Sequence, residues 1–272
     1  DWKVTQKEIY TQDGQQIPGF KANVREMDQR ILGVVTNRYR IVQNEEAFAF
    51  TDQLLAEGVT CETGGSLQGG RRTWILARLP QRYIISGDEI TPYLVFMNSH
   101  DGSGAIKAAM TPVRVVCQNT LNLALSTAKR SWSTNHTGDI QGKLRDAEET
   151  LFYADHYMKE LGKTIDQMNQ TKISDQKVKE YIDALFPEAE GASEIQKRNI
   201  LHLKEEVKFR YFEAPDLKHI GKNAYRFVNA VSDFATHAKP LKERSNYREN
   251  LFARTVDGNA VIDKAFELVK AV

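Results

Sequence analysis

ITPYLVFMNSHDGSGAIKAAMTPVRVV, residues 90–116, is the stretch on which the fold turns. Ile90 to Ser99 and Ala105 to Val116 are runs rich in β-branched and aromatic side chains. Between them, His100-Asp101-Gly102-Ser103-Gly104 gathers the residue types that reverse a chain. Two strands joined by so short a connection run antiparallel, so this part of the chain is expected to build an antiparallel sheet.

The residues upstream extend that pattern. Tyr83 to Ser86 reads as a short strand. Val59 to Thr63 and Arg72 to Leu79 read as partners in a hairpin, with the glycine-rich 64–70 segment as its loop. Further back, Ile31 to Val35 and Tyr39 to Val42 read as strands about the turn Thr36-Asn37-Arg38. Asn44 is then expected to cap a helix whose first turn carries Glu45 and Glu46, whose apolar face is Ala47, Phe48, Phe50, Leu54 and Leu55, and which Gly58 stops. Downstream, Thr120 to Lys129 is expected to be a helix and Arg130 to Thr137 a final strand.

After Gly138 the period changes. Leu144, Ala147, Leu151, Ala154, Met158 and Leu161 recur at helical spacing along one face. Further helices are expected after Ser174 and ending at Pro187, from the capping-box pair Ser193 and Gln196 toward Pro215, over Asn223 to Ala238, and over Asp257 to Val272. The fold class is therefore α+β. A β-rich module, residues 1–138, is followed by a helical region, residues 139–272, and the 162–176 and 187–193 stretches are the expected exposed connections.

Composition narrows the function. With 272 residues, 41% of them hydrophobic, the chain can bury a large core. Its longest apolar runs fall far short of a membrane span, and Asp1 to Glu8 lack the layout of a secretory signal. A cytoplasmic protein without a membrane partner is expected. Cys61 and Cys117 are too few to staple the fold and sit in no zinc-like spacing, so both are expected to be reduced and buried. The net charge of +1 hides an uneven distribution, for eight basic side chains face three acidic ones between Thr63 and Thr137, and none of the residues from Gly102 to Thr137 is a carboxylate.

No P-loop, dinucleotide fingerprint, zinc-protease helix or nucleophile elbow is present. The 64–70 glycines lack the lysine and following helix of a phosphate loop, and read better as a hairpin tip. Cys117, His100 and His136 are the residues from which a nucleophile and base would be built; a buried structural cysteine is the plainer reading. His100, Asp101 and His136 make an equally unspecific metal set. A better-supported pattern is basic residues interleaved with aromatic ones: Arg71-Arg72-Thr73-Trp74, Arg82-Tyr83 and Lys129-Arg130-Ser131-Trp132. Cations neutralise phosphates and aromatic faces stack on unpaired bases, the combination used by single-strand binders. The structural alternative is that Trp74 and Trp132 are core residues, with Arg72 at a strand edge and Lys129 and Arg130 ending a helix. Arg38 extends the same surface. Lys107 and Arg114, seven residues apart, fall on opposite faces of a regular strand, so at most one of them joins it.

Several ordered motifs resemble the DUF932 family, which is related to phages and plasmids: Phe20 to Arg25, Leu32 to Tyr39, Gly69 to Arg72, Asn98 to Gly102, Thr111 to Leu121, Arg130 to Trp132, His136-Thr137 and Phe227 to Val231. The resemblance implies a mobile-element protein and assigns no reaction and no catalytic residue. In element order and charge the first module is also similar to single-strand annealing proteins of the Rad-fifty-two type, which assemble as rings.

The leading expectation is a non-catalytic nucleic-acid-binding protein that promotes annealing or recombination of single-stranded DNA. In it Arg71, Arg72, Lys129 and Arg130 hold phosphates, Trp74 or Trp132 stacks on bases, and Arg38 and Arg114 flank them. It needs no metal or nucleotide cofactor, and homo-oligomers fit it. The alternative is a protein-interaction module acting on a host factor, and the third is a hydrolase-like enzyme using Cys117, His100 and His136.

Overall fold

Among the described residues, nine strands in two antiparallel sheets lie in the first half of the chain, and the longer helices follow. The computed structural model describes residues 2–49, 58–114, 120, 123, 125, 128–240, 242, 247, 250, 252, 254, 256 and 258–270, without the side chains of 114, 140, 141 and 143–152. Among them, the α+β class expected from the residue pattern is what the protein adopts.

The first sheet has three strands in chain order, β1 (Val4–Tyr10), β2 (Gln16–Arg25) and β3 (Arg30–Thr36). Of these only β3 was legible. β1 is largely polar, and β2 carries Pro18 and Gly19, which weaken a strand signal. Tyr39 to Val42, expected to pair with β3, forms no strand. Its backbone goes elsewhere, with the Arg40 amide donating to the His136 carbonyl at 2.8 Å.

A short helix, α1 (Asn44–Phe48), comes next, and residues 50–57 of the expected helix lie outside the described residues. Its cap is Gln43, whose amide donates to the Glu46 carboxylate at 3.0 Å. Asn44, the expected cap, is buried, and its side chain bonds to the second sheet.

The second sheet runs β4 (Thr60–Leu67), β5 (Arg72–Arg78), β7 (Asp88–Ser99), β8 (Ile106–Arg114) and β9 (Ser131–Thr134), with β6 (Tyr83–Ile85) also paired to β7. The turn at 100–104 joins β7 and β8, as the opening stretch implies. The β4–β5 hairpin corrects the expected loop. Gly64 pairs with Ile75 and Gly65 with Trp74, so both glycines belong to the strand, and the reversal occupies only Gln68 to Arg71. Cys61 is exposed on β4, contrary to expectation, because every residue there except Leu67 faces solvent. Cys117 lies outside the described residues, as do 121, 122, 124, 126 and 127 of the helix expected over 120–129; of the others, Leu123, Leu125, Ala128 and Lys129 are not helical, and Thr120 forms an antiparallel bridge with Val113.

The helices are α2 (Ile140–Gln170), α3 (Asp175–Leu185), α4 (Glu194–Glu213), α5 (Ala224–His237) and α6 (Ala260–Lys270). Ser174, Ser193 and Asn223 cap α3, α4 and α5 by accepting from Lys177, Gln196 and Arg226 amides, which satisfies donors that an uncapped terminus leaves open. α2 runs through Gln170, so most of the expected 162–176 connection is helical. None of these helices is long and apolar enough to cross a membrane, among the described residues.

Compactness divides the chain differently from composition. One unit comprises Asp1–Gln81, Tyr93–Met110 and Arg130–Asp155, and the other Arg82–Pro92, Thr111–Lys129 and His156–Val272. The first buries Leu32, Val35, Leu94, Phe96 and Ala108. In the second, Tyr157, Tyr211, Tyr225, Phe227 and Phe266 are fully buried, and each such side chain contributes on the order of 1.5–3 kcal/mol by leaving water. Arg226 is buried there with its charge spread over the Tyr211 and Ile220 carbonyls, at 2.8 and 3.0 Å.

Candidate nucleic-acid interface

The β4–β5 reversal draws arginines from three strands to one point. Gln68, Gly69 and Gly70 all have positive φ. A Cβ on Gly69 would lie 2.4 Å from the Arg30 guanidinium carbon, and one on Gly70 2.6 Å from Arg25 Nη1. Only glycine lets both guanidinium groups close on this turn. Arg25 and Arg30 are directly paired across β2 and β3, which sets their side chains together. Arg25 Nη1 donates to the Gly69 carbonyl at 3.3 Å, and the guanidinium stands over the Trp2 ring, 5.3 Å from its centroid.

Charge balance within the cluster is unequal. Arg25 grips Asp28 through two hydrogen bonds, 2.8 and 2.5 Å, and the bond from Arg25 holds the Asp28 carboxyl down at about 2. Arg72 donates to Ser103 Oγ at 3.0 Å. Among the described residues, Arg30 and Arg71 have no carboxylate partner, and both are exposed. Of these four arginines only Arg25 is ion-paired among the described residues, so Arg30, Arg71 and the serine-bonded Arg72 remain as cations without a carboxylate partner beside it and an indole ring.

Of the expected site residues, this cluster contains Arg71 and Arg72. Trp74 and Trp132 take opposite faces of the second sheet. Thr73 Oγ1 donates to Asn44 Oδ1 at 2.9 Å, and Asn98, its cross-strand partner, donates to the Val42 carbonyl at 2.9 Å. Trp132 packs against Val42, Ala47 and Ile106 on that side, whereas Trp74, next to Thr73, faces the other way, its ring against Gly65. Arg130, half-buried, donates to the Met110 carbonyl at 3.2 Å. Arg38 is exposed in the first unit, Lys129 is exposed in the second, and the Arg114 side chain lies outside the described residues. Trp2, Arg25 and Arg30 were not foreseen, although Arg25 stands in one of the family-like motifs. The missing signal was register, since Arg25 and Arg30 face each other across a turn of four residues.

Beside the cluster lies the polar turn 98–104. The His100 amide donates to the Arg71 carbonyl at 2.7 Å and joins the two. Three long-range bonds fix the turn: Asn23 Nδ2 to the His100 carbonyl at 2.7 Å, Tyr39 Oη to the Ser99 carbonyl at 2.5 Å, and His100 Nε2 to Asn44 Oδ1 at 2.8 Å. Burial pushes the His100 imidazole down to about 4, with His136 adding to the effect and Asp101 opposing it, so the ring is neutral near pH 7. Burial pushes Asp101 the other way, but hydrogen bonds from Ser103 and Ser99 and the charge of Arg72 outweigh it, leaving the carboxyl below its usual range. Gly33 admits the turn, for a Cβ there would stand 2.6 Å from Asp101 Cα. His136 stacks on Tyr39, ring centroids 4.6 Å apart, and its Nδ1 bonds the Arg40 carbonyl at 3.1 Å. A cavity of about 330 Å³ opens between Asp101, Tyr39 and His136 on one side and Phe20 and Val34 on another. No group of three His, Cys, Asp or Glu residues able to hold a metal ion occurs among the described residues.

Both the arginine cluster and the polar turn are built from motifs noted in the sequence, Gly69 to Arg72 and Asn98 to Gly102. A family model described as a domain of unknown function, DUF932, matches residues 31–266. The chain belongs to the DUF932 family. The match takes in β3 after Arg30, the glycine turn, the polar turn and every described helix through most of α6, leaving β1 and β2 outside it. Trp2, Arg25 and Arg30 thus lie outside the matched span, while Arg71, Arg72, His100 and His136 lie within it. Comparison with curated proteins gave no match, and neither did comparison with solved structures.

Proposed function

We propose that this DUF932 protein binds single-stranded nucleic acid through the Gly69–Arg72 turn, and that it serves annealing or recombination of single-stranded DNA on a phage or plasmid. The observation that carries the reading is the convergence of Arg25, Arg30, Arg71 and Arg72 with Trp2 on a glycine turn. Guanidinium groups collected from separate strands, three of them without a carboxylate partner among the described residues, are suited to backbone phosphates. A neighbouring indole suits the face of an unpaired base. Similarity to the ring-forming single-strand annealing proteins belongs to the same proposal and extends it to assembly.

Fluorescence anisotropy with a labelled single-stranded oligonucleotide tests it. Affinity is expected to fall as salt rises from 50 to 200 mM, because bound phosphates release counterions. Arg30→Ala combined with Arg71→Ala is expected to weaken binding at least about tenfold. It should also flatten the log–log salt dependence by roughly 1.4, about 0.7 for each lost phosphate contact. Undiminished binding in the double variant, or none by the wild type at low salt, would refute the proposal.

A further inference from the structure

The cavity beside the arginine cluster is lined by acceptors that nothing in the protein uses. His136 is buried, 3% exposed, and its Nε2 has no hydrogen-bond partner. Its tautomer follows from the other nitrogen. Nδ1 bonds a carbonyl, which only accepts, so Nδ1 carries the proton and Nε2 presents a bare lone pair. Asp101 contributes a second acceptor. Its Oδ1 takes Ser99 Oγ, the Ser103 amide and Ser103 Oγ at 2.8, 2.9 and 2.6 Å, whereas Oδ2 takes no hydrogen bond among the described residues. Leaving the His136 nitrogen buried without a donor costs stability and calls for a partner, whereas Asp101, half-buried, keeps Oδ2 open to one.

The opposite wall is apolar and open. Phe20 and Val34 are 44% and 55% exposed where they line the cavity. At about 330 Å³ the space falls at the small end of the range for small-molecule pockets, on the order of 300–1,000 Å³. A flat ring that stacks on one side and donates hydrogen bonds on the other matches both walls. Among nucleobases, guanine alone sets an imino and an amino N–H side by side on one edge. A carboxylate oxygen and an imidazole lone pair can accept both.

We infer that this pocket holds an unpaired guanine base, with His136 and Asp101 accepting from its N1–H and N2 amino group and Phe20 covering its face. The inference rests on the proposed single-strand binding, with the arginine turn holding the adjoining phosphates. It makes the pocket the element that discriminates among bases, where the cluster discriminates none.

The test compares anisotropy binding of the short oligonucleotides TTGTT, TTITT (inosine in the centre) and TTTTT to the full chain. Inosine removes only the 2-amino group and leaves the protein untouched, so protein folding does not enter that comparison. TTGTT is expected to bind on the order of tenfold more tightly than TTTTT, with TTITT between them. His136→Ala, or Asp101→Asn should the former fail to fold, is expected to abolish the preference while leaving TTTTT binding in place. Equal binding of the three oligonucleotides overturns the guanine pocket and leaves the single-strand reading standing. A preference that survives both variants overturns it as well. Binding of none overturns the parent reading and the pocket with it.

Discussion

A histidine kept neutral inside a fold makes the fold sensitive to acid. His100 is fully buried, and its imidazole is held at about 4 against an ordinary 6.5. Between those values the unfolded chain binds a proton that the folded chain refuses, so stability is complete above about 6.5 and declines as pH falls toward 4. The ceiling for this one group is on the order of 3 kcal/mol, and His136, also pushed down by burial, acts in the same direction. Urea unfolding from pH 7.5 to 4.5 should show the wild type losing stability more steeply than His100→Gln; parallel curves would disprove the assignment. Little of this was legible in residue order. His100 was noted as a strand-end residue, but its partners Asn23 and Asn44 come from a segment assigned to no element and from an expected helix cap. A side chain's protonation depends on neighbours that only tertiary structure supplies.

Elements with a strong local signal were the ones sequence could identify. Ser174, Ser193 and Asn223 each stand just before an apolar-periodic run, and each caps the helix expected of it. They are not equivalent in weight. Ser193 is exposed and bonds only within its own capping box. Asn223 is buried; its Oδ1 accepts from the Arg226 amide at 2.9 Å while its Nδ2 donates to Asn169 Oδ1 at 2.8 Å, and its backbone bridges to Lys172. Ser193→Ala should therefore cost about 1 kcal/mol, and Asn223→Ala roughly 2 kcal/mol, since it also removes the bond to the half-buried Asn169. Chemical denaturation of the two variants measures the gap, and equal losses would contradict it. Where local signals conflicted with the outcome, tertiary pairing had won. Gly64 and Gly65 look like loop residues and are strand residues, held by their partners Ile75 and Trp74.

For the whole molecule, the distribution of chromophores offers a test of cooperativity. Trp2, Trp74 and Trp132 all belong to the first compact unit, while α3 to α6 and the second half of α2, from His156, belong to the second. Tryptophan fluorescence therefore follows one unit and helical circular dichroism mainly the other. The division between them falls at Pro92 and Tyr93 within β7, and at Met110 and Thr111 within β8. Because uninterrupted strands carry the chain from each unit into the next, the two signals should unfold with one midpoint. Separate midpoints would show units that melt independently. Composition alone suggested a break at residue 138, because helical periodicity begins there, yet periodicity says nothing about which strands a helix shares a core with. The exposed strand β4 ends the second sheet with seven solvent-facing residues and an edge that pairs with no further strand among the described residues, the arrangement that invites another chain to add a strand. Its two glycines have poor strand propensity, and the Glu62–Arg78 pair at 2.9 Å sets charge along that border. The same glycines that disguised the second half of β4 as a loop thus guard the folded protein against edge-to-edge aggregation.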